Sequence, residues 1–290
     1  MAGPMALRVA RVAARALPAL AGLAVLVGAV RWALLGLVPY EERLDPFWFA
    51  IYTHVGWGLV GTLAAIAVLA ALHLLRFGRE DIRPRGPGDV LPWWSLLERL
   101  AHWAFVASFA VLLVTGLQLY LAGFGLPDAL TRVMRRWHLG EPFWVTGAVV
   151  FAMWAHDAWP RRYDARWLAQ GGGYLWARGR PGERAPLPAG RFNAGQKLWF
   201  WLETLGAVVM AVTGYEMRHH FTRFDDGYLT LLAAHLGAAW AFLAVVGVHF
   251  YLAVVGVRGA LGGMIHGRVG RSGAQRLHPD ADALKRADAR

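Results

Sequence analysis

The sequence predicts an all-α integral membrane protein of six transmembrane helices, and three observations carry that prediction. Hydrophobic residues make up 57% of the 290 positions and charged residues only 17%, with a mean hydropathy of +0.37, too apolar for an ordinary soluble domain. Six apolar runs approach or exceed the roughly 20 residues that a helix needs to cross the hydrocarbon core; they lie at 15–38, 49–76, 100–124, 142–160, 198–217 and 229–256. The connections between them, above all 76–88 and 161–192, are rich in Arg, Pro and Gly and too polar to stay in lipid.

The first run follows Arg8, Arg11 and Arg15, a pattern shared with secretory signal peptides. No small-residue cleavage site is evident and Trp and Pro follow, so it reads as a retained anchor; its removal would leave the orientation of the other five unchanged. With the N-terminus inside, twenty-three basic residues fall on the inner side and six in the opposite loops, Arg31 lying within the first span. Lys and Arg are retained on the cytoplasmic side, which predicts an inner-membrane protein with both termini cytoplasmic. The sequence pI near 10.8 then reflects topology and calls for no nucleic-acid partner. The division expected is an extension with two spans over 1–96, a four-helix core over 97–257 and a basic cytoplasmic tail over 258–290. With no cysteine, the chain holds no disulfide, thiolate metal site or iron–sulfur cluster of its own.

The sixth span carries two histidines, His235 and His249, fourteen residues apart. At about 100° and 1.5 Å per residue they face the same way at depths about 21 Å apart. A lone intramembrane histidine often serves helix packing, but two on one stripe suggest ligands. Imidazole is a common haem-iron ligand, and an electron-transfer haem takes one on each face. The sixth span could therefore serve two stacked haems if other spans supply partners at matching depths. His102 starts the third span at the inner side, and His138 stands where the chain re-enters from outside. The depth-matched pairs are His138 with His235 and His102 with His249.

Other histidines compete among the eleven. His54 and His73 on the second span are about 100° apart on the helical wheel and cannot share one haem-facing stripe. His156, at inner depth about five turns from His138, rivals His102 on geometry alone. His219, His220, His266 and His278 fall in loops or the tail, where solvated or interfacial roles are expected.

The runs ERLAHWAF (98–105), WHLGEPFW (137–144), FNAGQKLWFW (192–201), AAHLGAAW with VHFY on the sixth span, and RGALGGMIHGRVG (258–270) resemble the cytochrome b (gamma) subunit of membrane-bound, quinone-linked formate dehydrogenase. The resemblance runs in order over residues 97–279. It implies a four-helix core with two haem b groups, ligated at His102, His138, His235 and His249, and gives no role to His54, His73 or His156.

The segment FNAGQK offers amide groups from Asn193 and Gln196, with Gly195 permitting close backbone approach; by itself it equally describes a polar helix start. The resemblance implies a quinone site there, formed by Asn193, Gly195, Gln196 and His249, at which menaquinone or ubiquinone takes up two protons from the inner side. Glu203, about 9 Å beyond Lys197 along the fifth span, is costly in a membrane; it lies outside the family pattern and reads either as a proton relay to quinone or as a partner in an ion pair or hydrogen bond. Thr115-Gly116 and Thr213-Gly214 are small enough for a helix or a macrocycle to come close.

The function expected is therefore a di-haem conduit. The resemblance implies a molybdenum or tungsten catalytic (alpha) subunit that oxidises formate outside, an iron–sulfur (beta) subunit that passes electrons on, and quinone reduction at the inner surface. The chain has no formate-oxidising site. Related cytochromes b of hydrogenases or thiosulfate-type reductases are the alternative, with a haem-free membrane anchor as an alternative of a different class.

Overall fold

The computed structural model describes residues 46–120, 128–139, 142–173, 187–219 and 226–281. The expected span at 15–38 lies outside them. Helix α1 covers Pro46–Phe77, α2 Leu96–Tyr120, α3 Asp128–His138, α4 Pro142–Trp154, α5 Asp164–Ala169, α6 Ala194–His219 and α7 Asp226–Tyr251, the last continuing as a π-helical segment over Leu252–Gly256. Two short helices follow, α8 (Ala260–His266) and α9 (Arg271–Leu277). Among the described residues four stretches are long and apolar enough to cross a membrane: Val60–Phe77, Leu96–Leu119, Ala194–His219 and Thr230–Gly256. The protein is thus an integral membrane protein by its helices.

Local chemistry sets several helix starts. Before α2, the Glu98 backbone N–H donates to Ser95 Oγ at 3.2 Å while the Ser95 N–H donates to Glu98 Oε2 at 2.8 Å. This reciprocal capping box satisfies two otherwise orphaned donors, and it starts the helix four residues ahead of the apolar run at 100. Asn193 and Gln196 do the same for α6: the Gln196 N–H donates to Asn193 Oδ1 at 2.9 Å and the Asn193 N–H to Gln196 Oε1 at 3.0 Å.

Two differences from the sequence expectation have physical causes. The fourth span, expected over 142–160, is an α-helix only over Pro142–Trp154. Thirteen residues rise about 20 Å, short of the roughly 30 Å hydrocarbon core. Beyond it Asp157 turns to meet Arg191 at 3.1 Å, and Pro160 follows. Residues 128–138, expected as part of a loop, form the amphipathic α3, whose arginines lie among exposed Leu130, Val133 and Trp137; a search for long apolar runs passes over such a helix.

Contacts divide the chain into two units, one of residues up to 75 with 105–145, the other of 76–104 with 146 onward. In the first, Phe105 of α2 stacks on Phe143 of α4 with ring centres 5.3 Å apart. The exposed Val68, Leu69 and Leu72 of α1 form an apolar surface of the kind lipid covers.

In the second unit α6 and α7 are the principal pair and run antiparallel. Trp199 meets Val245 and His249, Gly206 meets Phe242, and Thr213 meets His235. The segments after α1 and α7 pair as small sheets. Strand β1 (Glu80–Asp81) is parallel to β3 (Val257–Arg258), and β2 (Val90–Pro92) is antiparallel to β4 (Arg268–Gly270), with Leu91 opposite Val269. Leu91, Val269, Ala274 and Ala281 bury a small core there, so residues 258–281 of the expected tail fold onto residues 80–92. Gly270 permits the closest approach: a Cβ there would stand 2.5 Å from the Arg83 carbonyl oxygen.

Candidate functional site

The second unit brings His102 of α2 and His249 of α7 together, with ring centres 6.5 Å apart. Two imidazoles on opposite faces of one metal ion, each bonded through nitrogen at about 2 Å, hold their ring centres about 6 Å apart. The separation would suit two imidazoles holding one haem iron between them. Trp199 stacks on His249 at 4.4 Å and fixes its position further by donating from Nε1 to the Val245 carbonyl at 3.3 Å. On the other side Trp154 lies 6.0 Å from the His102 ring.

Behind His102 stands a polar cluster that sequence reasoning missed. Glu98, one turn before His102 on α2, accepts a hydrogen bond from Trp154 Nε1 at 3.1 Å and an ion pair from Arg191 Nη1 at 2.6 Å. Arg191 also reaches Asp157 Oδ2 at 3.1 Å, donates to the Trp93 carbonyl at 2.8 Å and lies 4.5 Å over the Trp94 ring. Burial would lower the Arg191 pKa, but the hydrogen bond and charge of Glu98, with those of Asp157, outweigh it and raise it. The available signal was slight: Glu98 sits within ERLAHWAF and Arg191 directly precedes FNAGQK, but they are 93 positions apart. Nearby, Lys197 Nζ bonds both carboxylate oxygens of Asp164, at 2.9 and 3.2 Å, in a buried pair.

His138 and His235 lie in different units and share one local device. In the first unit, Nδ1 of His138 is 3.2 Å from Thr115 Oγ1, and a Cβ on Gly116 would come within 2.8 Å of His138 Cε1. In the second, Nδ1 of His235 is 2.9 Å from Thr213 Oγ1, and a Cβ on Gly214 would stand 3.4 Å from His235 Cε1. Each Thr-Gly pair thus seats an imidazole, the threonine giving it a polar partner and, at 116, the glycine giving it room.

The amide oxygens of Asn193 and Gln196 are engaged in capping α6, so their NH2 groups remain as donors toward a ligand. The close approach at Gly195 is made by Trp167, whose Cη2 would be 3.0 Å from an added Cβ. Glu203 is buried, and its Oε1 has no hydrogen-bond partner among the described residues. It lies one turn beyond Trp199 and three residues before Gly206, on the stripe of α6 that faces α7, between the levels of His249 and His235.

Of the remaining histidines, His73 lies on α1, His156 is exposed after α4, His219 packs on Tyr215 and His266 is exposed at the end of α8. His278 donates from Nδ1 to the Gly190 carbonyl at 3.0 Å. The side chain of His54 and all of His220 lie outside the described residues.

Residues 93–267, which contain all four histidines of the two depth-matched pairs, match the prokaryotic cytochrome b561 family. The formate dehydrogenase cytochrome b556 subunit of Haemophilus influenzae is 30% identical over 197 residues, 62% of this chain and 77% of that protein. The cytochrome b556(Fdn) subunit of the nitrate-inducible formate dehydrogenase of Escherichia coli K12 is 26% identical over 195 residues, 64% of this chain and 87% of the relative. The cytochrome b556(fdo) subunit of the same organism is 27% identical over 201 residues, 66% and 91% of the two chains. The chain belongs to the prokaryotic cytochrome b561 family and is similar across its core to the cytochrome b subunits of formate dehydrogenases.

Proposed function

We propose that this chain is the membrane electron conduit of a quinone-linked formate dehydrogenase, with six spans, both termini cytoplasmic, in a bacterial inner membrane. The observation that carries the reading is the approach of His102 and His249 at a separation suited to two axial ligands of one iron. The family implies haem b, and the names of the relatives supply formate dehydrogenase as the complex.

Two b-type haems, one between His138 and His235 and one between His102 and His249, would supply one-electron transfer across the bilayer. The chain's own residues do the rest. His138 and His235 would hold the haem on the outer side, facing an iron–sulfur subunit that serves a molybdenum or tungsten subunit. Trp199 and Trp154 hold His249 and His102 on the inner side. The NH2 groups of Asn193 and Gln196 orient a quinone carbonyl beside His249. Reduction of the quinone there takes two electrons and two protons, and Glu203, buried on the α7-facing stripe, is suited to hold a proton in transit. The four-helix core comprises α2, α4, α6 and α7, with α4 completing its crossing through the turns after Trp154.

The test uses native membranes that contain the whole complex. Formate should reduce a b-type absorbance, an added quinone analogue should reoxidise it, and affinity purification through this chain should recover an iron–sulfur subunit and a large molybdenum- or tungsten-containing subunit. Reduction by hydrogen in place of formate would assign the chain to a hydrogenase, and reoxidation of the quinol-reduced cytochrome by thiosulfate would assign it to a thiosulfate-type reductase complex.

A further inference from the structure

Thr115 and Thr213 stand in the same relation to two histidines in two separate parts of the chain. Thr213 Oγ1 is 2.7 Å from the Val209 carbonyl and 2.9 Å from His235 Nδ1; Thr115 Oγ1 is 2.7 Å from the Val111 carbonyl and 3.2 Å from His138 Nδ1. A carbonyl oxygen only accepts, so each hydroxyl proton goes to the carbonyl four residues back. The hydroxyl oxygen is then left as an acceptor, and the histidine must donate from Nδ1. For His138 the Leu112 carbonyl also accepts from the ring.

We propose that Thr115 and Thr213 are paired positioning residues that lock His138 and His235 in the Nδ1–H tautomer, leaving Nε2 of each as the lone-pair donor to iron. This rests on the reading of His138 and His235 as the ligands of the outer haem. A hydroxyl at Nδ1 fixes the plane of the ring as well as its tautomer, and it makes the imidazole a stronger base. A more basic axial ligand favours the ferric state and lowers the reduction potential, so both threonines hold the outer haem at a lower potential than an unsupported histidine pair would. Electrons moving inward then travel from the lower-potential haem toward the quinone. Gly116 belongs to the same device, since it leaves the space in which the His138 ring meets Thr115, whereas a Cβ at Gly214 would make ordinary contact with the His235 ring.

The experiment is a redox titration of the haem-loaded, full-length chain in native membranes, with a haem count, on wild type, T213V, T115V, T213S and T115S. Valine keeps the shape and removes the acceptor; serine keeps the acceptor. T213V should retain two haems and move the midpoint potential of one of them upward, leaving the other in place. T115V should move the same haem in the same direction and by less, because the Leu112 carbonyl still holds the His138 ring. Both serine variants should restore the wild-type potential. Unchanged potentials in T213V and T115V would overturn the proposal and leave the threonines as packing groups. A haem lost in T213V and not regained in T213S would overturn it as well, since serine retains the hydroxyl. A wild-type chain with fewer than two haems would instead defeat the ligand assignment itself, before any variant is compared.

Discussion

The rings of His102 and His249, contributed by α2 and α7, stand 6.5 Å apart between centres, each backed by a tryptophan, Trp154 and Trp199. This is a prearranged pair: Trp199 is tethered to the Val245 carbonyl and Trp154 to Glu98, so neither backing ring is free to turn away. Rigid support suits the proposed role, because ligands of an electron-transfer haem should not rearrange between oxidation states.

Capping and the proposed quinone binding at Asn193 and Gln196 can be separated. In N193D and Q196E the carboxylate retains the oxygen that caps α6 and loses the NH2 donor. Asp and Glu are also favourable at a helix N-terminus. Thermal stability in detergent should stay within about 0.5 kcal/mol of wild type. The quinone KM should rise about tenfold for the loss of one hydrogen bond to the substrate. Equal loss of stability and turnover would mean that the two amides serve the helix alone.

The two glycines beside the threonines differ in tolerance. A Cβ at Gly116 would be 2.8 Å from His138 Cε1, whereas at Gly214 it would be 3.4 Å from His235 Cε1, ordinary contact. G116A should therefore cost about 1–3 kcal/mol through overpacking and lower the occupancy of the outer haem, and G214A should be close to wild type in both. Differential scanning fluorimetry with a haem count checks the order of the two effects.

Arg191 compensates Glu98, a mostly buried carboxylate. R191A should destabilise the protein by about 3 kcal/mol or more, because it leaves that charge buried and unpaired. R191K keeps the charge but lacks the planar fork that serves Glu98, Asp157 and the Trp93 carbonyl together, so it should fall between. Adding E98Q to R191A should recover part of the loss, and a double-mutant cycle on unfolding midpoints measures it.

The layer in which residues 257–281 fold onto residues 80–92 should loosen in mild acid. Burial lowers the His278 pKa from 6.5 to about 4, against the opposing effect of its bond to the Gly190 carbonyl. A histidine whose folded pKa is depressed stays neutral in the folded layer while the opened chain takes up a proton, so its contribution is complete above about 6.5 and is lost as pH falls toward 4. Between pH 7 and 5 opening should become about 2 kcal/mol easier. Hydrogen exchange of residues 271–281, corrected for intrinsic rates, should accelerate more than tenfold over that interval in wild type and much less in H278N.

The elements differ in how far the sequence alone reveals them. The long apolar helices are legible because hydropathy reports directly on lipid burial. The approach of His102 to His249 is legible because helical rise and loop polarity set depth. The helix starts at Leu96 and Ala194 are written in Ser95–Glu98 and Asn193–Gln196, yet a hydropathy scan begins several residues later because capping residues are polar. The bonds from Thr115 to His138 and Thr213 to His235 span 23 and 22 positions, and the Arg191–Glu98 pair spans 93. Such contacts depend on which helices become neighbours, and no local pattern records that. The short α4 and the amphipathic α3 escape for a related reason: each is decided by polar partners or by a water–lipid boundary, not by the length of an apolar run.

The central claim is that four histidines hold two haems, and a reduced-minus-oxidised optical spectrum with a haem count on the purified chain tests it most directly. Wild type should contain two b-type haems per chain, with His249→Ala and His235→Ala each disturbing a different one. Well-folded wild-type protein without haem, or variants that both keep two unaltered haems, would contradict the account and return these histidines to helix packing.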